Sequence, residues 1–315
     1  MNLIFLGTPA FAVPTLEAIV AAGHQVLAVF TQPDRPKGRG GQVSALPVKE
    51  TALHLGLTVH QPERVRRPEV VELLKQLNPD AMVVVGYGQI IPQSIIDIPR
   101  YGIINVHASL LPKYRGAAPI QWAIANGEQR TGVTTMRIDA GLDTGDMLLK
   151  WETEIGREED ALEVGQRLAT AGAQLLVRTL RENPTPAKQD PTEATLAPIL
   201  KKEDGLVDWS WPAEKILNRV RGFLPWPGAY SFFRDQGFHI WKARVSGEPG
   251  SGHPGRLRPH MKRLLIDCGA KTTLEAIEVQ IEGRKRMPAE AFLNGHRLDK
   301  NDTMGLQPMG VVPKS

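Results

Sequence analysis

Residues 2–30 read NLIFLGTPAFAVPTLEAIVAAGHQVLAVF, and the order of their apolar blocks decides the fold. Asn2 to Leu6 (NLIFL) is a short continuous apolar run, the pattern of a strand buried on both faces. From Pro9 to Ala22, Phe11, Leu16, Ile19 and Val20 follow helical spacing, and Gln25 to Phe30 is a second strand-like run. The chain therefore opens with a β-α-β unit. Farther out, Ala81 to Val85 (AMVVV) and Gly102 to Val106 (GIINV) are two more apolar runs, separated by a weak helical segment around Pro92 to Ile96. Strands this apolar, alternating with helices, predict an α/β domain with a mostly parallel sheet covered on both faces.

The clearest helical spacing runs from Asp160 to Leu180, where Glu158, Glu159 and Asp160 suit the positive end of the helix dipole. Glu182 to Pro198 then carries four prolines and reads as a connector. Beyond it the character changes. One helix, Pro212 to Gly222, precedes short strand-like runs at Tyr230 to Phe233, His239 to Val245, Arg263 to Cys268 and Leu274 to Gln280, separated by Gly and Pro clusters. That pattern predicts a small β-barrel. The expected division is a catalytic domain over 1–190, a linker over 191–205 and a second domain over 206–315, as a length of 315 residues favours.

A composition 42% hydrophobic and 23% charged is that of an ordinary globular protein with a filled core. The single Cys268 cannot form an intrachain disulfide, which fits a reduced cytoplasm. Met1 to Phe11 imitates a signal peptide, with Ala10-Phe11-Ala12 as a decoy cleavage site. No Lys or Arg precedes Arg35, however, and Gly7-Thr8-Pro9 interrupts the apolar run, so none is expected. No stretch approaches the roughly 18 apolar residues of a membrane helix. The net charge of +4 is uneven: residues 1–205 hold 21 Lys and Arg against 23 Asp and Glu, the remainder 17 against 11. A basic C-terminal third attracts polyanions, although such a surplus also serves plain solubility.

Gly7-Thr8-Pro9 sits where a dinucleotide fold places its glycine loop, but the second and third glycines of G-x-G-x-x-G are missing. A tight turn is expected there, and no nucleotide cofactor. The histidines are scattered and the cysteine is alone, so no metal site is expected. Asn105 and His107 are two apart in a strand and project to the same side. Alone, His107 reads equally well as a structural histidine. Asp143, in a loop flanked by Gly141 and Gly145 after a strand at Gly132 to Ile138, adds a carboxylate that can hold the imidazole tautomer. Such a trio suits stabilising charge on a carbonyl oxygen during acyl transfer. Ser109 lacks the glycines of a nucleophile elbow, so the attacking group is expected to come from a substrate. The stretch from Thr31 to Gly41 carries Arg35, Lys37 and Arg39 among prolines and glycines, a candidate polyanion contact, or else a solvated linker.

Together the segments FLGTP (5–9), TQPDRP (31–36), NVHASLLPKYRGAAPIQ (105–121), GLDTGDM (141–147), KKEDGLVDW (201–209), PWPG (225–228) and WKA (241–243) resemble the methionyl-tRNA formyltransferase family over essentially the whole chain. Departures are small: KKED at 201–204 stands where many relatives have SKEE, and Ala108 where some have Gly. The resemblance implies a Rossmann-like formyltransferase domain followed by a smaller OB-like barrel that carries the tRNA stem. It implies 10-formyltetrahydrofolate as formyl donor, initiator methionyl-tRNA as partner, a cytoplasmic monomer, and Asn105, His107 and Asp143 as catalytic residues. Ser109, Leu110, Leu111 and Pro112 match the family's folate-contacting turn, and Val85, Gly86, Tyr87, Gly88, Gln89 and Ile90 the segment beside the pterin. Arg35, Lys37, Arg39 and Lys201 are then the candidate tRNA contacts. Two other readings stay open: formylation of a small amine such as glycinamide ribonucleotide or an amino sugar, and a non-catalytic tRNA-binding protein.

Overall fold

The apolar runs become strands of one seven-stranded sheet in the computed structural model, which describes residues 1–34, 36–37, 42–43, 46–299 and 301–305, with 36–37 and 42–43 as backbone only. The strands are β1 (Asn2–Gly7), β2 (Gln25–Phe30), β3 (Val59–His60), β4 (Ala81–Val85), β5 (Ile103–His107), β6 (Arg130–Arg137) and β7 (Met147–Glu154). Their order is β7-β6-β5-β4-β1-β2-β3. The first five pair in parallel, while β6 pairs antiparallel with both β5 and β7. This is the mostly parallel sheet that the composition of β1, β4 and β5 requires. All five residues of β4 and of β5 are buried, which leaves no wet face.

From β1 the chain steps one way to β2 and β3, then crosses to the other side of β1 for β4. The carboxyl ends of β1 and β4 are thus the topological switch point, the place where open α/β sheets bind ligands. One side of the sheet is filled by Ile4, Leu6, Phe30, Leu74, Met82 and Ile95. Helix α1 (Ala161–Glu182), where the sequence shows helical spacing most clearly, approaches β5 closely through Gly172. A Cβ there would come within 2.9 Å of Val106 Cγ1.

The second unit is an antiparallel sheet of β8 (Ala229–Phe233), β9 (Gln236–Ser246), β10 (Leu257–His260), β11 (Arg263–Asp267) and β12 (Thr273–Ile281), joined by the short strand Met304–Gly305. Its two edges meet. Leu257 N donates to Asp302 O and Met304 N to Gly255 O, which rolls the sheet into an OB-like barrel. Phe233, Phe238 and Phe292 contact one another edge to face at its centre.

By contacts the first unit comprises Met1–Pro119, Arg130–Glu154 and Glu163–Pro198, and the second Ile120–Gln129, Ile155–Leu162 and everything from Ile199 onward. The two early stretches pack with the later unit for identifiable reasons. Trp122 meets Phe223 edge to face at 5.3 Å, and Arg221 donates to the carbonyls of Gly156 and Glu159.

Candidate active site

Asn105 lies in β5 opposite Val84 of β4 and Met136 of β6, and His107 opposite Thr134. Both side chains are buried and leave the same side of the strand. His107 Nε2 is 2.9 Å from the carbonyl oxygen of Tyr114. A carbonyl only accepts, so Nε2 carries the proton and Nδ1 is the nitrogen left to react. Nδ1 stands 3.7 Å from Asp143 Oδ2, farther than a hydrogen bond reaches. Asn105 Nδ2 donates to Asp143 Oδ1 at 3.4 Å, and the backbone N–H of Gly116 donates to Oδ2 at 2.8 Å. The structure therefore brings together all three residues of the expected trio, with the carboxylate at its centre.

Asp143 reaches this position through a left-handed backbone, φ +52°, between Gly141 and Gly145. A Cβ on Gly145 would overlap the carbonyl of Arg137, so the loop closes tightly on the end of β6. Three residues that sequence reasoning passed over hold the surrounding backbone. Thr134 donates to Ser109 O at 2.7 Å and accepts from Leu111 N at 3.2 Å. Thr195 Oγ1 accepts from Tyr114 N at 2.8 Å, and Leu196–Ala197 pairs in parallel with Arg115–Gly116. Gln189 Nε2 donates to the carbonyls of both Asp143 and Gly145.

Within the turn after β5, Ser109 Oγ is spent on Lys113 O at 2.6 Å, and Leu111 and Pro112 are buried while Leu110 is half-buried. In the segment after β4, Val85 is buried and Gly86 and Gly88 take positive φ angles of 57° and 80°. Tyr87 turns its ring into the core, where burial raises its hydroxyl far above the ordinary tyrosine range. Its carbonyl instead accepts from Thr8 Oγ1 and Gln32 Nε2, which ties the ends of β1, β2 and β4 together. Gln89 bonds the backbone of Val65 and Pro62, whereas Ile90 is 90% exposed. The Tyr87 ring is therefore closed off from solvent, whereas Gly86, Gly88 and Ile90 are exposed.

Arg35 and Arg39 lie outside the described residues, as does the side chain of Lys37. Just before them, Lys49 pairs with Asp34, and that hydrogen bond, supported by Gln61, holds the Asp34 carboxyl below its ordinary value. Lys201, in the second unit, is exposed, and its backbone N–H donates to Asp204 Oδ2 at 2.7 Å. Among the described residues no group of three or more His, Cys, Asp or Glu could hold a metal ion, and no helix is long and apolar enough to cross a membrane. A cavity of about 250 Å³ is lined by Tyr101, Ile104, Arg137, Leu148, Thr179 and Asn183. Ile104 faces the other side of β5 from Asn105 and His107, so this hollow is separate from the trio.

An open α/β sheet with such a trio at its strand ends and a following antiparallel barrel is the framework of a formyl transferase, and the comparisons agree on that class. The formyl transferase family model matches residues 1–180, and the formyl transferase C-terminal domain model matches 199–297. The chain is 64% identical over 312 residues to a methionyl-tRNA formyltransferase of Solibacter usitatus, covering 97% of this chain and 99% of the relative. Among solved structures, a sugar 3N-formyl transferase crystallised with dTDP and 5-N-formyl-THF superposes with a TM-score of 0.67 at 17% identity, covering 90% of this chain and 99% of the other. A methionyl-tRNA formyltransferase from Clostridium thermocellum superposes with a TM-score of 0.55 at 20% identity, covering 79% and 95%. At such identities the two superpositions speak for the fold alone. The chain belongs to the methionyl-tRNA formyltransferase family and is a formyl-transferring enzyme.

Proposed function

We propose that this enzyme transfers the formyl group of 10-formyltetrahydrofolate to the free α-amine of methionine esterified to initiator tRNA, acting as a monomer in the cytoplasm. The observation that carries the reading is the convergence of Asn105 and His107 on Asp143 at the carboxyl end of the sheet. Among the described residues no serine or cysteine hydrogen-bonds to these three, so the attacking nitrogen belongs to the acceptor substrate.

The α-amine adds to the formyl carbon, and the carbonyl oxygen gains negative charge as the new C–N bond forms. Asn105 spends one amide N–H on Asp143 and has a second with which to meet that oxygen. His107, anchored through Nε2, offers Nδ1–H to the same charge when protonated. Asp143 balances the imidazolium and takes up the proton that the attacking amine loses. The tetrahedral adduct collapses by breaking the bond to N10 of the folate, and that nitrogen leaves with the proton that Asp143 took from the amine. The positive-φ glycines Gly86 and Gly88 support a flat pterin beside them, and the charges of Lys201, Arg35, Lys37 and Arg39 suit contacts to tRNA phosphates.

Incubation with labelled formyl donor and alternative acceptors tests the assignment. Label is expected on methionyl-tRNA, with uncharged tRNA inert. Transfer to glycinamide ribonucleotide or an amino sugar, but not to methionyl-tRNA, would reassign the acceptor. Binding of tRNA without transfer would reassign the protein as a non-catalytic module.

A further inference from the structure

Gln189 occupies a position that its surroundings define completely. It follows α1 in a proline-rich return of the chain and makes four hydrogen bonds with one amide group. Its oxygen accepts two, from Arg115 Nε at 3.1 Å and Nη2 at 2.8 Å. Its nitrogen donates two, to Asp143 O at 2.8 Å and Gly145 O at 2.7 Å. Arginine has no acceptor, so the Arg115 fork forces the amide oxygen toward itself and the NH2 toward the loop. The two N–H groups then match the two carbonyls. Every donor and acceptor of the amide is used.

The loop held in this way is the one in which Asp143 adopts φ +52°, a conformation that a non-glycine residue keeps only when its surroundings enforce it. Gly116, next to Arg115, sends its N–H to the Asp143 carboxylate. Arg115 and Gly116 are themselves paired with Leu196–Ala197. Gln189 thus grips the backbone of Asp143 while the neighbour of its own partner grips the side chain.

We propose that Gln189 is a positioning residue, which locks the left-handed turn at Asp143 and so sets the carboxylate against Asn105 and His107, with Arg115 orienting the Gln189 amide. The inference rests on the reading of Asp143 as a catalytic group. Its chemical content is specific: the N–H donors of residue 189 matter, and the bulk of the side chain does not.

Gln189→Glu separates the two. It keeps size and strengthens the pairing with Arg115, but it presents a carboxylate oxygen to two carbonyls and repels the loop. Formyl transfer to methionyl-tRNA is measured for Gln189→Glu, Asp143→Asn and the double variant, by single turnover with enzyme in excess. For Gln189→Glu the expected result is a rate at least about tenfold lower, toward the ~100-fold loss that a misplacement near 1 Å produces. The KM values for 10-formyltetrahydrofolate and methionyl-tRNA should stay within about twofold of wild type. In the Asp143→Asn background the second substitution should add no loss, because Gln189 acts through Asp143.

A near-normal rate for Gln189→Glu, or a loss that multiplies that of Asp143→Asn, overturns the proposal and leaves the catalytic reading intact. A near-normal rate for Asp143→Asn alone overturns the catalytic reading beneath it. Should Gln189→Glu fail to fold, Gln189→Met removes the same donors at similar size and decides the question in the same assay.

Discussion

Asp143 and Tyr87 show how differently a polar side chain fares in two surroundings of one domain. Asp143 receives hydrogen bonds on both carboxylate oxygens, from the Asn105 amide and the Gly116 N–H. Among the described residues the Tyr87 hydroxyl is buried without a hydrogen-bond partner. Leaving a hydroxyl unsatisfied costs about 1–3 kcal/mol. Tyr87→Phe is therefore expected to raise the unfolding free energy by about 1 kcal/mol, read as a higher urea midpoint at unchanged slope, with formyl transfer unaltered. A lower midpoint would show that the hydroxyl has a partner. The trio was legible because strand alternation sends Asn105 and His107 to one side and glycines mark the loop of Asp143. Thr134, Thr195 and Gln189 were not. Thr134 acts by lying opposite His107 across a strand pair, and Gln189 reaches Asp143 from 46 residues away. Neither register nor chain return is written in local sequence.

Among elements, the apolar runs at β1, β2, β4 and β5 announced themselves, since strands buried on both faces need no partner to be recognised. The two-residue β3 and the edge strand β7, whose burial alternates, carry too little apolar signal to stand out. The helix read from Pro9 to Ala22 begins as a 3-10 turn, Ala10–Ala12, and becomes α-helical only at Val13. The proline-rich stretch after α1 reads as a connector by composition, yet its residues 189–197 hold the backbone beneath the trio. In the barrel, Glu275 of β12 bonds Arg244 of β9 and Arg263 of β11, joining three strands. Burial opposes its charge, but the two guanidinium groups outweigh that and hold its carboxyl below the ordinary value of 4.5. Because the folded carboxyl binds its proton less tightly than the unfolded one, its stabilisation is present above 4.5 and is lost as pH falls through the depressed folded value. Glu275→Gln is expected to cost about 1–3 kcal/mol at pH 7, with the gap to wild type closing at lower pH. Tryptophan fluorescence can follow it, since Trp122, Trp209, Trp211, Trp226 and Trp241 all belong to the second unit. A gap that stays constant down to pH 3 would assign the effect to packing.

At the scale of the molecule, the basic surplus is confined to the C-terminal third, with 17 Lys and Arg against 11 Asp and Glu. If it meets tRNA phosphates, counterions are released on binding, and affinity falls steeply with salt. Two phosphate contacts suffice for a roughly tenfold rise in KM for methionyl-tRNA between 50 and 200 mM salt. The KM for the formyl donor should change little over the same range, and equal responses would remove the electrostatic role. Two domains of different class were legible from the change in element pattern near residue 206. The grouping of 120–129 and 155–162 with the later unit was not, because it depends on contacts such as Trp122 with Phe223 that span a hundred residues.

The trio's part in formyl transfer is tested most directly by the single-turnover rate of transfer to methionyl-tRNA in Asn105→Ala and His107→Ala, with binding of the formyl donor measured alongside. Losing a donor to the developing oxyanion is expected to slow each variant by about 100- to 1,000-fold while donor binding stays close to wild type. Near-normal rates in either variant would contradict the assignment of that residue to the oxyanion.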